Sequence, residues 1–144
     1  MILGAVVEKT QPPGVFWAGV LNVLGALGLW FAAWVIFDLG ETPGSSVSQL
    51  WVIKLIGLFG GWGVLMLVDA VLVFRGMRIG YFLSMPLWAL TFAAVVSGSL
   101  VLFNGSYFAF LITPAGWYIL YYVLYPAVCF ARFLKSDVRT YFGT

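Results

Sequence analysis

The chain contains no histidine and a single cysteine, Cys129. Histidine is the usual protein ligand of haem iron, copper and most other transition metals, and one cysteine cannot form an internal disulfide. We therefore predict that the protein holds no metal and no cofactor. Cys129 lies among apolar neighbours, where a lone thiol is expected to pack as a small hydrophobic side chain.

Charge is also scarce, at 8% of the residues against 63% hydrophobic. Ordinary soluble domains have about 25% charged residues, so the composition predicts an integral membrane protein. The seven basic and five acidic residues form no run typical of nucleic-acid binding. The expected partners are the lipid bilayer and either another membrane protein or further copies of this chain, and the expected location is the cell membrane, crossed several times.

The motifs of common enzymes are missing as well. The sequence contains no H-E-x-x-H, no P-loop, no recognisable catalytic triad and no pair of carboxylates inside an apolar run. We therefore predict that the protein is not an enzyme.

Four apolar runs are long enough to cross a bilayer. They predict helices at about 15–37, 50–74, 81–103 and 107–134, with a basic tail over 135–144, so that residues 1–144 form one membrane domain. The loops between them are short, and consecutive helices are then antiparallel neighbours. The predicted fold is an all-α, up-down bundle of four transmembrane helices.

The distribution of charge predicts the orientation of this bundle. With four spans, both termini and the turn at 75–78 lie on one side of the membrane. That side carries the basic residues Lys9, Arg75, Arg78, Arg132, Lys135 and Arg139, whereas the loops of the other side carry Asp38 and Glu41 and no Lys or Arg. Because Lys and Arg are enriched in cytoplasmic loops, both termini should be cytoplasmic.

Two charged residues lie inside the second span. At 1.5 Å per residue, Lys54 and Asp69 are roughly 22 Å apart along the helix axis, too far to pair with each other. We expect Lys54 to extend towards Asp38 or Glu41 at the outer face. The short side chain of Asp69 cannot reach the surface, so it needs a partner. The candidates are Asn22, a tyrosine hydroxyl of the last span, Arg75, Arg78 and Arg132. Asp69 would then fix the helix register or, alternatively, bind a proton or a cation.

Two further patterns concern packing faces. The last span places Tyr118, Tyr121, Tyr122 and Tyr125 at i, i+3, i+4 and i+7, and so on one face of a helix. Such a stripe is typical of packing, although it is also a candidate binding surface for a quinone or a lipid. In the second span, Gly57 and Gly61 form a G-x-x-x-G, the spacing that allows two helices to approach closely.

Both ends of the chain carry short motifs. Pro13-Gly14-Val15 is followed by Leu21-Asn22-Val23-Leu24-Gly25, and Tyr121-Tyr122 precedes the tail Lys135-Ser136-Asp137-Val138-Arg139-Thr140-Tyr141-Phe142-Gly143. Together with the four spans, these motifs resemble a group of uncharacterised small four-helix membrane proteins of archaea and bacteria. The resemblance implies a prokaryotic cell membrane and no particular activity. Tyr141 and Phe142 of the tail are expected at the lipid boundary.

These observations favour a non-catalytic accessory or assembly subunit of a membrane complex, held by helix packing. The first alternative is a small oligomeric channel or transporter that uses Asp69 and Lys54. The second is a quinone- or lipid-binding subunit that uses the tyrosine stripe.

Overall fold

The computed structural model describes residues 11–41, 48–103 and 113–144, and every regular element within these ranges is helical. The helices are α1 (Pro13–Glu41), α2 (Gln49–Phe74), α3 (Arg78–Phe103), α4 (Pro114–Phe133) and α5 (Ser136–Phe142). The protein is therefore an all-α protein, as its sequence predicts.

Three of these helices, α1 to α3, are each long and apolar enough to cross a membrane. The fourth, α4, meets the same criterion only together with α5, and the two are bent by 77° relative to each other. The described residues therefore contain three candidate spans, or four if α4 and α5 count as one. This number is consistent with a location in a membrane.

Three helix boundaries differ from the predicted ones by three residues or more. The first helix ends at Glu41, four residues beyond the predicted end at Phe37. The third helix begins at Arg78, three residues before the predicted start at Tyr81. A continuous helix over 107–134 is wrong, because Thr113 has extended backbone angles and its side chain accepts a hydrogen bond from the Gly116 amide. Thr113 thus caps a helix that begins at Pro114, a position where proline costs no backbone hydrogen bond. The predicted turn at 104–106 lies outside the described residues.

A tight turn joins α2 to α3. Gly76 adopts a left-handed φ of 63°, which a glycine tolerates without strain. The Met77 amide donates to the Leu72 carbonyl at 3.0 Å and so closes the end of α2. With so short a connection, α3 returns antiparallel along α2.

The four long helices form a ring in which α1 and α3 each contact both α2 and α4. An aromatic cluster fills the centre of the bundle at the end where α4 terminates. There, the ring of Phe133 lies 4.5 Å from Trp88, 5.7 Å from Tyr81 and 5.5 Å from Phe142, measured between ring centroids. Trp88 and Phe133 are fully buried, so this cluster is part of the hydrophobic core.

The short helix α5 contributes to this core. Val138 and Phe142 are buried, and the Phe142 ring packs against Tyr81 of α3 and Phe133 of α4. The expectation that Phe142 lies at the lipid boundary is therefore wrong. The cause is the bend after α4, which turns the apolar side of α5 back against the end of the bundle.

A buried polar cluster as the candidate functional site

Asp69 lies at the centre of a polar cluster between α1, α2 and α3. Its side chain is fully buried. One carboxylate oxygen, Oδ2, accepts a hydrogen bond of 2.7 Å from the Asn22 amide of α1. The hydroxyl of Ser84 on α3 lies 2.8 Å from both carboxylate oxygens. A single side chain of α2 thus connects both neighbouring helices.

Two further residues of α3 extend the cluster. The Trp88 indole donates to Asn22 Oδ1 at 2.8 Å, so that both ends of the Asn22 amide are hydrogen-bonded. Ser84 also approaches the Gly80 carbonyl at 2.7 Å, a contact with its own helix. The side chains of Asn22, Asp69, Ser84 and Trp88, which we call the polar cluster, therefore form one connected network.

Burial makes this network energetically important. An unpaired polar group in an apolar environment costs several kcal/mol, roughly 2 to 7 depending on the reference state, whereas a hydrogen-bonded one does not. Among the buried side-chain nitrogen and oxygen atoms of the described residues, the Gln11 amide nitrogen alone lacks a partner. The polar cluster is therefore fully satisfied by its own members.

The partners of Asp69 are neutral. Of the candidates from the sequence, Asn22 is in direct contact, and no described basic residue or tyrosine hydroxyl is hydrogen-bonded to the carboxylate. Arg132 instead lies beside Gly14 of α1, and Arg75 and Arg78 lie exposed at the α2–α3 turn. The proposed ion pair of Asp69 with an arginine is wrong, because a hydroxyl and an amide are closer and already occupy the carboxylate.

Lys54 takes no part in this cluster. It is exposed, and its ammonium lies 5.3 Å from the ring centroid of Trp51, one turn earlier on α2. At that distance a cation is attracted by the face of an indole ring. The side chain of Glu41 lies outside the described residues, and the contact of Lys54 with Asp38 or Glu41 stays a prediction.

The tyrosine stripe of α4 faces α1. Three of its hydroxyls donate to backbone carbonyls of that helix: Tyr118 to Gly28 at 2.9 Å, Tyr121 to Leu21 at 2.7 Å and Tyr122 to Gly25. The fourth, that of Tyr125, lies 3.5 Å from the sulfur of Met66 on α2. The four residues therefore share one face, as predicted, and that face forms the contact of α4 with α1, whereas Phe133 of α4 packs against α3.

The glycines of α2 fall into two groups. A Cβ added at Gly63 would lie 2.6 Å from the Trp30 indole nitrogen, so the absence of a side chain there allows α1 to approach closely. A Cβ added at Gly57, Gly60 or Gly61 would meet no atom within 4 Å. The G-x-x-x-G pair therefore lies on an outward face, which we call the open glycine face.

These features define a helical bundle of the membrane type whose core contains a satisfied polar cluster. Comparison with protein-family models, curated proteins and solved structures found no match for the chain. Within the described ranges, no group of three His, Cys, Asp or Glu side chains is arranged to hold a metal ion.

Sequence reasoning missed Ser84 and Trp88 as members of the cluster. A signal for them was present in their distances along the chain from the turn at Gly76 and Met77. Asp69 lies seven residues before Gly76 and Ser84 lies seven residues after Met77, while Trp88 follows Ser84 by one helical turn. Two antiparallel helices joined by a tight turn bring such equidistant positions to the same level.

Proposed function

We propose that this protein is a non-catalytic, multi-pass protein of an archaeal or bacterial cell membrane that acts as an accessory or assembly subunit. The observation that carries the proposal is the open glycine face of α2. Gly57, Gly60 and Gly61 have nothing within 4 Å of the position of a Cβ, although Gly63 in the same helix is closely packed. Among the described residues, the Cβ positions of this small-residue surface therefore have no packing partner, and its contact with α1 is a hydrogen bond of 3.2 Å from the Trp30 indole to the Gly60 carbonyl.

Small residues have a specific use in membranes. Lipid tails are as apolar as the side chains, so helices associate through close packing and hydrogen bonds rather than through the hydrophobic effect. A G-x-x-x-G pair allows a second backbone to approach closely, and here Gly57 and Gly61 have that spacing. In this proposal, a helix of another membrane protein, or α2 of a second copy, packs on the open glycine face.

The polar cluster supports the same function from inside the bundle. Because Asp69 contacts both α1 and α3, a shift of either helix along α2 breaks a buried hydrogen bond. The cluster thus fixes the register of α1 to α3 and keeps the outer surface of α2 rigid. A rigid surface loses little entropy when a partner binds to it.

In the membrane, the bundle is proposed to cross four times with both termini in the cytoplasm. Support comes from the described basic residues, five of which lie at one end of the bundle: Arg75, Arg78, Arg132, Lys135 and Arg139. Lys54 is the sixth and lies towards the opposite end. By the positive-inside rule, the basic end faces the cytoplasm.

Two features of the bundle support this function over the alternatives. A channel or transporter that uses Asp69 and Lys54 needs an accessible carboxylate, whereas Asp69 is fully buried and hydrogen-bonded to neutral partners. A quinone or lipid bound by the tyrosine stripe would have to compete with α1, whose carbonyls already accept three of the four hydroxyls. Neither alternative has a specific observation in its favour.

The test introduces larger side chains on the open glycine face and measures whether the protein still assembles in mild detergent. We expect the double substitution Gly57→Leu and Gly61→Leu to abolish co-purification of a partner, or to reduce a homo-oligomer to a monomer, because two isobutyl groups prevent close approach. Ala93→Leu is the matched control, since Ala93 is an exposed small residue on α3. Size-exclusion chromatography with light scattering and mass spectrometry of co-purified proteins supply the readout.

The proposal fails if the double variant assembles as the unaltered protein does, or if the control disrupts assembly equally. It also fails if the unaltered protein purifies as a lone monomer. A homo-oligomer that conducts ions in liposomes, and whose conductance disappears in Asp69→Asn, would instead support the channel.

A further inference from the structure

A groove separates the N-terminal end of α1 from the C-terminal end of α4. It has a volume of about 320 Å³, and its lining includes Gly14, Trp17 and Leu21 of α1 and Val128 and Arg132 of α4. Ligand pockets range from about 300 to 1,000 Å³. The groove is at the small end of this range, which suits part of a lipid molecule better than a whole aromatic cofactor.

The walls of the groove are apolar and accessible. Trp17 is 59% exposed and Val128 is 56% exposed, so both side chains face the surroundings of the bundle rather than its core. Trp17 and Leu21 are one helical turn apart on α1, as are Val128 and Arg132 on α4. The groove therefore runs along the helices, in the direction that a lipid acyl chain takes in a bilayer.

The end of the groove nearest the start of α1 is positively charged. Arg132 lies against Gly14, where an added Cβ would be 3.8 Å from Arg132 Cδ, so the aliphatic part of the side chain follows the surface of α1. In the described ranges, its guanidinium has no hydrogen-bond or ion-pair partner. A guanidinium presents five donors in a planar fork that matches the oxygens of a phosphate group.

The surroundings of Arg132 favour an anion. Arg75, Arg78, Lys135 and Arg139 lie at the same end of the bundle, and Asp137 is the one acidic side chain described there. Tyr121 of α4 donates a hydrogen bond to the Leu21 carbonyl of α1 next to the groove. Arg132 of α4 lies against Gly14 of α1 at the charged end of the groove. The position of the groove is therefore fixed by contacts on both sides.

We propose that this groove is a binding site for an anionic phospholipid. Its phosphate binds Arg132, and one acyl chain lies along Trp17, Leu21 and Val128. Basic pockets between helices at the cytoplasmic side of a membrane are suited to anionic headgroups. The site is on α1 and α4, whereas the open glycine face is on α2, and the site requires that the bundle lie in a membrane but not that it assemble with a partner.

The test uses the fluorescence of Trp17 in mixed micelles. Phosphatidylglycerol and phosphatidylcholine are prepared with the same brominated acyl chains, which quench nearby tryptophans. The difference between the unaltered protein and Trp17→Phe isolates the signal of Trp17 from that of the other tryptophans. We expect brominated phosphatidylglycerol to quench Trp17 at a several-fold lower mole fraction than brominated phosphatidylcholine.

Substitution of the charged group then assigns the preference to the groove. Arg132→Gln should weaken the preference for phosphatidylglycerol about tenfold, because it removes the charged hydrogen bond between the guanidinium and the phosphate. Arg132→Lys should retain most of it. Lys135→Gln is the matched control, because Lys135 is exposed at the same end but does not line the groove, and it should leave the preference unchanged.

Three results would overturn the proposal. Equal quenching by the two lipids indicates lipid that surrounds the protein without a site. Equal loss in Arg132→Gln and Lys135→Gln indicates attraction by the basic end as a whole. Relief of the quenching by inorganic phosphate at the same concentration as the lipid indicates a site for free phosphate. Circular dichroism of each variant verifies that the helices are retained.

Discussion

At the scale of single residues, Asp69 shows how a carboxyl group is accommodated in an apolar interior without a cation. Its partners are an amide and a hydroxyl, contributed by two different helices. Such neutral donors cost less to bury than an arginine, which would also have to lose its hydration. The position of Asp69 therefore contributes specificity of packing more than gross stability.

This interpretation predicts a large loss of stability for one substitution of Asp69 and a small loss for another. Asp69→Leu leaves the Asn22 amide nitrogen without an acceptor in a buried position, and should lower the free energy of unfolding by about 2 kcal/mol. Asp69→Asn keeps an oxygen that accepts from Asn22 and supplies an amide that donates to Ser84, so its loss should stay below about 1 kcal/mol. Reversible unfolding in mixed detergent micelles measures both. Equal stability of the Leu variant and the unaltered protein would contradict the role assigned to the cluster.

The sequence allowed part of this cluster to be predicted. Asn22 and Asp69 are polar residues in otherwise apolar runs, and their similar depth in the membrane suggested the contact that the structure contains. The polarity of Ser84 was a weaker signal, because a serine in an apolar helix can satisfy its hydroxyl on its own backbone, as Ser84 does in part with Gly80. Its distance from the turn at Gly76 and Met77 was the remaining signal. The Arg132 alternative failed because the direction of a long side chain at a helix end depends on packing.

At the scale of helices, α4 is attached to α1 by a repeated contact. Tyrosine hydroxyls at three successive levels donate to α1 carbonyls, at Leu21, Gly25 and Gly28. The glycines at two of these positions make room for the phenol groups, since a Cβ at Gly28 would lie 2.5 Å from the Tyr122 oxygen. The periodicity of the stripe was readable from the sequence, but the helix that it faces was not.

The stripe predicts an order among Tyr→Phe substitutions. Tyr118→Phe and Tyr121→Phe each remove a hydrogen bond to a carbonyl oxygen and should cost about 0.5–1 kcal/mol of unfolding free energy. Tyr125→Phe removes a contact with the Met66 sulfur, which is a weak acceptor, so its effect should be about a few tenths of a kcal/mol. Unfolding in mixed micelles ranks the three. The arrangement would be refuted if Tyr125→Phe were the most damaging.

The contact between α2 and α3 predicts a contrast between two glycines. A Cβ at Gly80 would lie 2.9 Å from the Leu72 carbonyl carbon and 3.0 Å from the Val73 amide nitrogen. Backbone atoms cannot move aside as a side chain can, so Gly80→Ala should cost about 1–3 kcal/mol. Gly57→Ala meets nothing within 4 Å and should cost the isolated bundle nothing. Thermal unfolding of the two variants in one detergent is the comparison, and similar losses would contradict this packing.

At the scale of the whole molecule, the all-α class followed from composition and from the length of the apolar runs. The start of α1 and both ends of α2 lie close to the prediction, whereas α1 continues beyond its predicted end. The last part of the chain was less predictable. The tail is polar in five of nine positions from Ser136 to Thr144, yet Val138 and Phe142 are buried on one side of α5. An amphipathic helix of about two turns is too short for its periodicity to be distinguished from chance.

The number of membrane crossings decides the sides on which the two ends of the described chain lie, because α4 qualifies as a span together with α5. With four spans, Ser48 and Thr144 lie on opposite sides of the membrane; with three, they lie on the same side. Both residues are exposed, so each can carry a cysteine in a Cys129→Ala background. We expect a membrane-impermeant maleimide to label Ser48→Cys in intact cells and Thr144→Cys only after lysis, since the basic end should be cytoplasmic. Labelling of both variants in intact cells would mean that α4 and α5 do not cross the membrane. The positive-inside rule would then fail to predict the side on which Thr144 lies.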